Sequence, residues 1–92
     1  MAKFNLGKIA ISESLKKKVD SESIESALAR YADGDWGHVP KINARQNDYI
    51  VKTGCRGAML AHYFASNGIE FWIMTTENEG TSVFLVNPKH KV

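Results

Sequence analysis

Ninety-two residues are enough for one hydrophobic core but not two, and 43% hydrophobic with 24% charged residues is a globular composition that excludes a disordered chain. A net charge of +2 is too balanced for a dedicated nucleic-acid binder, whose basic excess is one-sided. The single cysteine excludes an intrachain disulfide, and no apolar run has the length of a signal-peptide core or a membrane span, so one cytoplasmic domain over residues 1–92 is expected.

Leu6 to Ile11 is short and mostly apolar and predicts a strand. Ser12 is a helix N-cap, and the helix Glu13 to Lys18 carries Lys16, Lys17 and Lys18 at its C-terminal end, where the helix dipole favours cations. Asp20 or Ser21 caps the next helix. There Ile24, Leu28 and Tyr31 fall at i, i+4 and i+7 with Ala27 beside them, and Asp33-Gly34 ends it. A turn-rich loop runs from Asp33 to Pro40. Asn43 and Gln46 form a capping-box pattern, which predicts a third helix from Asn43 to Thr53 with Tyr49 and Ile50 on its apolar face and Gly54 as its stop.

Beyond Gly54 the pattern changes to period two. Strands are expected at Ala58 to Phe64, Ile69 to Thr76 and Thr81 to Val86, with turns at Ser66-Asn67-Gly68 and Glu77 to Gly80 and a close at Asn87-Pro88. The fold class is therefore α+β: an antiparallel sheet of three to four strands, a C-terminal meander, packed with two to three N-terminal helices.

A two-residue Asn67-Gly68 turn sets Phe64 opposite Phe71, Tyr63 opposite Trp72 and His62 opposite Ile73. One face then carries Leu60, His62, Phe64, Ile69, Phe71 and Ile73, and the other Met59, Tyr63, Trp72 and Met74. Both faces are apolar, which a three-stranded sheet with one wet face does not explain. Either the N-terminal strand region covers part of the second face or a partner does.

No constellation carries chemistry. Asp33-Gly34-Asp35-Trp36-Gly37 resembles the opening of a calcium loop, but Ala44 stands where the twelfth-position acid would be. His38, His62, His90 and Cys55 lack zinc spacing, so no metal or other cofactor is expected. Cys55 with His62, or Asp35 with His38, would be the residues of a small enzyme; for His62 no orienting group is clearly placed, with Asp48 and Asn47 the candidates, and catalytic residues are not assigned.

Arg30 to Gly37 (RYADGDWG), Asn47, a strand ending in Tyr63, Phe71 to Thr75, Thr81 to Val86 and the opening Leu6 to Ala10 together form a pattern. It resembles a group of small, uncharacterised bacterial proteins with a central GDWG motif, encoded on plasmids, phages and integrative elements. The stretch Cys55 to Ala58 departs from that pattern. The resemblance implies a mobile-element setting rather than a reaction, and proteins in that setting often bind a host or element protein, among them inhibitors of CRISPR or restriction defence.

The expectation is thus a non-enzymatic protein-binding protein with Tyr63, Trp72 and Met74 as contacts and Asp35 and Trp36 shaping them. A homodimer through the second sheet face is a further expectation. The alternative is a nucleic-acid-binding accessory protein using Lys16, Lys17, Lys18, Arg56 and Lys89.

Overall fold

The computed structural model describes residues 6–54, 57–76 and 80–85. The expected turn at 77–79 and the close at 87–88 lie outside them. Three helices, α1 (Glu13–Lys18), α2 (Ser21–Ala32) and α3 (Lys41–Thr53), and four strands, β1 (Ile9–Ile11), β2 (Met59–Phe64), β3 (Glu70–Thr76) and β4 (Gly80–Leu85), form an α+β fold. The sheet order is β1-β4-β3-β2. β2, β3 and β4 are the expected meander. β1 covers neither face: it pairs parallel to β4 at the sheet edge.

The helix boundaries follow from their caps. Ser12 accepts from the Leu15 amide and opens α1, and Asp20 accepts from the Ser23 amide and opens α2. α3 starts two residues earlier than Asn43, at Lys41, with Pro40 as its N-cap. Proline has its φ preset and lacks a donor that a helix start would leave unpaired anyway, so the helix begins there and the Asn43–Gln46 box has no terminus to cap. Gly54 ends α3 at φ 70°. The inward stripe of α3 is Ala44, Asn47, Ile50 and Val51, so Tyr49, expected on the apolar face, is 59% exposed.

The hairpin register differs from expectation by one residue. Phe64 pairs with Glu70, Tyr63 with Phe71 and His62 with Trp72. The loop has three residues rather than two: Ala65 donates to Ile69, Gly68 donates back to Ala65, and Gly68 takes φ +86°. That is a turn followed by a left-handed residue, the second common hairpin solution. Contacts from outside hold it. The Asn67 amide donates to the Lys18 carbonyl at 2.9 Å, and the Ser66 hydroxyl donates to Asp20 at the start of α2. A one-residue slip turns β3 over relative to β2, so Tyr63 and Trp72 lie on opposite faces.

The core face carries Met59, Ala61, Tyr63, Phe71, Ile73 and Val83 against Leu15 and Val19 of the α1 segment, Ile24, Ala27 and Tyr31 of α2, and Trp36. Two threonines are buried with them. Tyr31 Oη donates to Thr75 Oγ1 at 2.7 Å, Thr75 and Thr81 hydroxyls are 2.8 Å apart, and Thr81 donates to the Leu6 carbonyl. A carbonyl only accepts, so the whole chain runs one way, from Tyr31 through Thr75 and Thr81 to Leu6.

Candidate functional site

The Asp33–Gly37 motif is a clasp on the outer edge of β2. Asp35 accepts from Arg30 Nε at 2.8 Å and Nη2 at 3.3 Å, and from the Gly37 amide at 3.2 Å. The Arg30 guanidinium holds the Asp35 carboxyl below the usual carboxylate range. Tyr63 Oη donates to the Asp35 carbonyl at 2.6 Å, and Arg30 lies over the Tyr63 ring. Trp36 is buried edge-on to Tyr31, with its indole N–H on Asp48 at 2.8 Å. Its carbonyl accepts from the His62 amide, and the His38 amide donates to the His62 carbonyl. One step along β2, Asn47 of α3 donates to the Leu60 carbonyl at 2.9 Å and accepts from the Leu60 amide at 3.4 Å. The edge of β2 is thereby closed by side-chain and loop groups.

Burial pushes the Tyr31 phenol up to about 12, and burial together with the Asp35 charge pushes Tyr63 up as well. A tyrosine in the unfolded chain ionises near 10. The native state therefore holds protons that the unfolded state releases above pH 10, and stability is full below that pH and falls as pH rises toward 12. Denaturant midpoints measured across this window should drop steeply, with phenolate absorbance of the buried tyrosines appearing only as the fold is lost. Early ionisation of all three tyrosines with the fold intact would contradict it.

The other sheet face is the candidate binding surface. Its rows are Phe64 and Glu70; His62, Trp72 and Phe84; Leu60, Met74, Ser82 and Ala10; and Thr76 and Gly80, with Lys8 beside them. Leu60, Trp72, Met74 and Phe84 are half-buried and lie outside the core cluster. Aromatic rings run across it. His62 is 5.3 Å from both Trp72 and Phe64 between ring centres, and His38 sits edge-on to Phe64 at 4.7 Å. His62 Nε2 is 3.2 Å from a Glu70 carboxylate oxygen. Glu70 is the only carboxylate in these rows, and Lys8, at the far end beside Gly80, is their only lysine. Among the described residues the Trp72 indole N–H is buried with no hydrogen-bond partner, a cost of about 1–3 kcal/mol for a group left unsatisfied.

Of the residues expected at a binding site, the structure leaves Trp72 and Met74 together on this face. It sends Tyr63, 1% exposed, and Trp36, 5% exposed, into the core, and Asp35 to the clasp. On β4, Val83 and Leu85 point to the core side, and Phe84 stands opposite Trp72. Phe84, Glu70 and His62 are the members that sequence reasoning missed, and only the register could have revealed them. Lys16, Lys17 and Lys18 are exposed on α1, whose Leu15 packs on the core face, so they lie on the side of the sheet away from Trp72. Cys55, Arg56, Lys89 and His90 lie outside the described residues. No hydrogen bond joins Asp35 to His38 among the described residues, and among these no cluster of three or more His, Cys, Asp or Glu could hold a metal ion. No described helix is long and apolar enough to cross a membrane.

No family model, curated protein or solved structure matches the chain.

Proposed function

We propose that this is a non-enzymatic protein-binding protein that docks a host or element protein on the sheet face centred on Trp72 and Met74. The carrying observation is the composition of that face: a band of aromatic and aliphatic side chains outside the core, with Glu70 at one end and Lys8 at the other as its charges. Exposed or half-covered aromatic and methionine side chains are the usual anchors of protein interfaces. A partner that brings apolar surface to this face covers the part of Trp72 that the fold leaves half-buried. A phosphate backbone would meet the Glu70 carboxylate at one end of this face and a single lysine, Lys8, at the other, well short of the cation row that nucleic acid needs. The setting in a bacterial mobile element, and the role of an inhibitor of host defence of the anti-CRISPR or antirestriction kind, rest on the resemblance carried by RYADGDWG and the segments around it.

The test is quantitative capture of partners from a bacterial host by the wild type and by Trp72→Gln. Trp72 is outside the core, so the variant should keep its far-ultraviolet circular dichroism and most of its thermal stability. An interface anchor of this kind contributes about 2 kcal/mol, roughly a thirtyfold loss of affinity. Unchanged capture by a folded Trp72→Gln protein would defeat the assignment. So would tight binding of single-stranded oligonucleotides that weakens steeply with salt.

A further inference from the structure

The two edges of the sheet are treated differently. The β2 edge is closed by Trp36, His38 and Asn47, whereas among the described residues nothing pairs with the β1 edge. Thr81 donates to the Lys8 carbonyl and Ser12 donates to the Val83 carbonyl, so the even-numbered peptide groups of this segment face β4. Those of Ile9 and Ile11 face outward, and no described residue bonds them. Ile9 is 43% exposed and Ile11 is only partly buried against the core. An open row of backbone donors and acceptors flanked by isoleucines is a template for another strand.

We propose that β1 is a self-association edge, on which a second copy of this chain adds its own β1 antiparallel about a twofold axis through Ala10. In that register Ile9 of one copy opposes Ile11 of the other, and each such pair exchanges both backbone hydrogen bonds. The small Ala10 side chains meet on the aromatic side, and the isoleucines pack in cross-strand pairs on the core side. Charge selects this occupant. Lys8 and Glu13 are both exposed and stand at opposite ends of the seam, with Glu13 83% exposed at its side chain. Antiparallel pairing brings Lys8 of each copy opposite Ser12 and beside Glu13 of the other, so both ends join unlike charges. A parallel pairing would put Lys8 against Lys8. The sheet then runs through the twofold, with both Trp72 faces on the same side.

Sedimentation equilibrium should show a monomer–dimer equilibrium. In the same samples, hydrogen exchange of the Ile9 and Ile11 amides should slow as protein concentration rises, while that of Ala10, already facing β4, should not change. Lys8→Glu, which sets two carboxylates together at each end, should weaken dimerisation about tenfold. Lys8→Glu combined with Glu13→Lys should restore it, with circular dichroism confirming that both variants fold. If either variant fails to fold, the wild-type exchange measurement decides alone. A monomer at every concentration overturns the proposal, as does a dimer whose Ile9 and Ile11 amides stay unprotected or one indifferent to Lys8→Glu. Capture of an unrelated extended peptide on β1 in place of self-association overturns it too.

Discussion

Gly37→Ala is expected to cost about 4 kcal/mol, which lowers the melting temperature of a domain this size by roughly 20 °C. Two effects add. Gly37 has φ +72°, where a side chain meets its own backbone. A Cβ there would also press into the His62 carbonyl oxygen and come within 2.9 Å of the Tyr63 ring. That carbonyl cannot retreat, because it belongs to a paired strand and already accepts from His38. The loop must lift instead, which releases the bonds on His62 and unseats Trp36. Total stability is about 5–14 kcal/mol for a chain of this length, so a loss on this scale leaves little margin. Gly68→Ala is the internal control: it has the same sign of φ at +86°, but no atom within 4 Å of the added methyl. It should cost only about 1 kcal/mol. Equal denaturant midpoints for the two variants would show that the clasp does not hold β2.

Thr81→Val should cost about 3 kcal/mol, several times more than Tyr31→Phe, although both remove a single hydroxyl from one buried chain. The reason is direction. Tyr31 is the first donor. Without it, Thr75 still donates to Thr81 and loses only a bond it accepted, worth about 1 kcal/mol. Thr81 is the relay. Valine matches its shape but leaves the Thr75 hydroxyl without an acceptor and the Leu6 carbonyl without a donor. Each buried group stranded in this way costs about 1–3 kcal/mol. Chemical denaturation of the two variants measures the ratio. A Tyr31→Phe loss as large as that of Thr81→Val would reverse the assigned polarity of the chain.

Local signals were legible in the sequence. Ser12, Asp20 and Gly54 act at the helix ends where their chemistry placed them, and the period-two segments are strands within a residue or two. Asn67-Gly68 announced a hairpin but left its register open, because the same pair serves a two-residue turn or sits inside a three-residue one. The choice is made by Asn67 reaching Lys18 and Ser66 reaching Asp20, contacts with residues distant in sequence. Alternation could not substitute for them, since Phe71, Trp72, Ile73 and Met74 are all apolar and either face of β3 could turn inward. Trp72 and Met74 could therefore be singled out as large side chains on a second face, but their neighbours Phe84, His62 and Glu70 could not. Asn47 was visible in the sequence pattern, but its role was hidden for another reason. A polar residue in the middle of an inward helical stripe reads as a flaw until the unpaired Leu60 peptide groups it satisfies are known.

The parallel pairing of β1 with β4 has a consequence for how the chain is made. Among the described strands, β1 is bonded only to β4, the one that follows the others in the chain. While α1, α2, α3, β2 and β3 are being synthesised, β1 has no strand to lie against and the Leu6 carbonyl has no hydroxyl to meet, because Thr81 does not yet exist. The helices and the β2–β3 hairpin can form from neighbours alone, but the sheet is completed by one ring closure spanning nearly the whole sequence, the slowest kind of contact to find. Completion of this sheet therefore waits on β4, and a ribosome that stops before Gly80 leaves a chain in which β1 has no β4 to pair with.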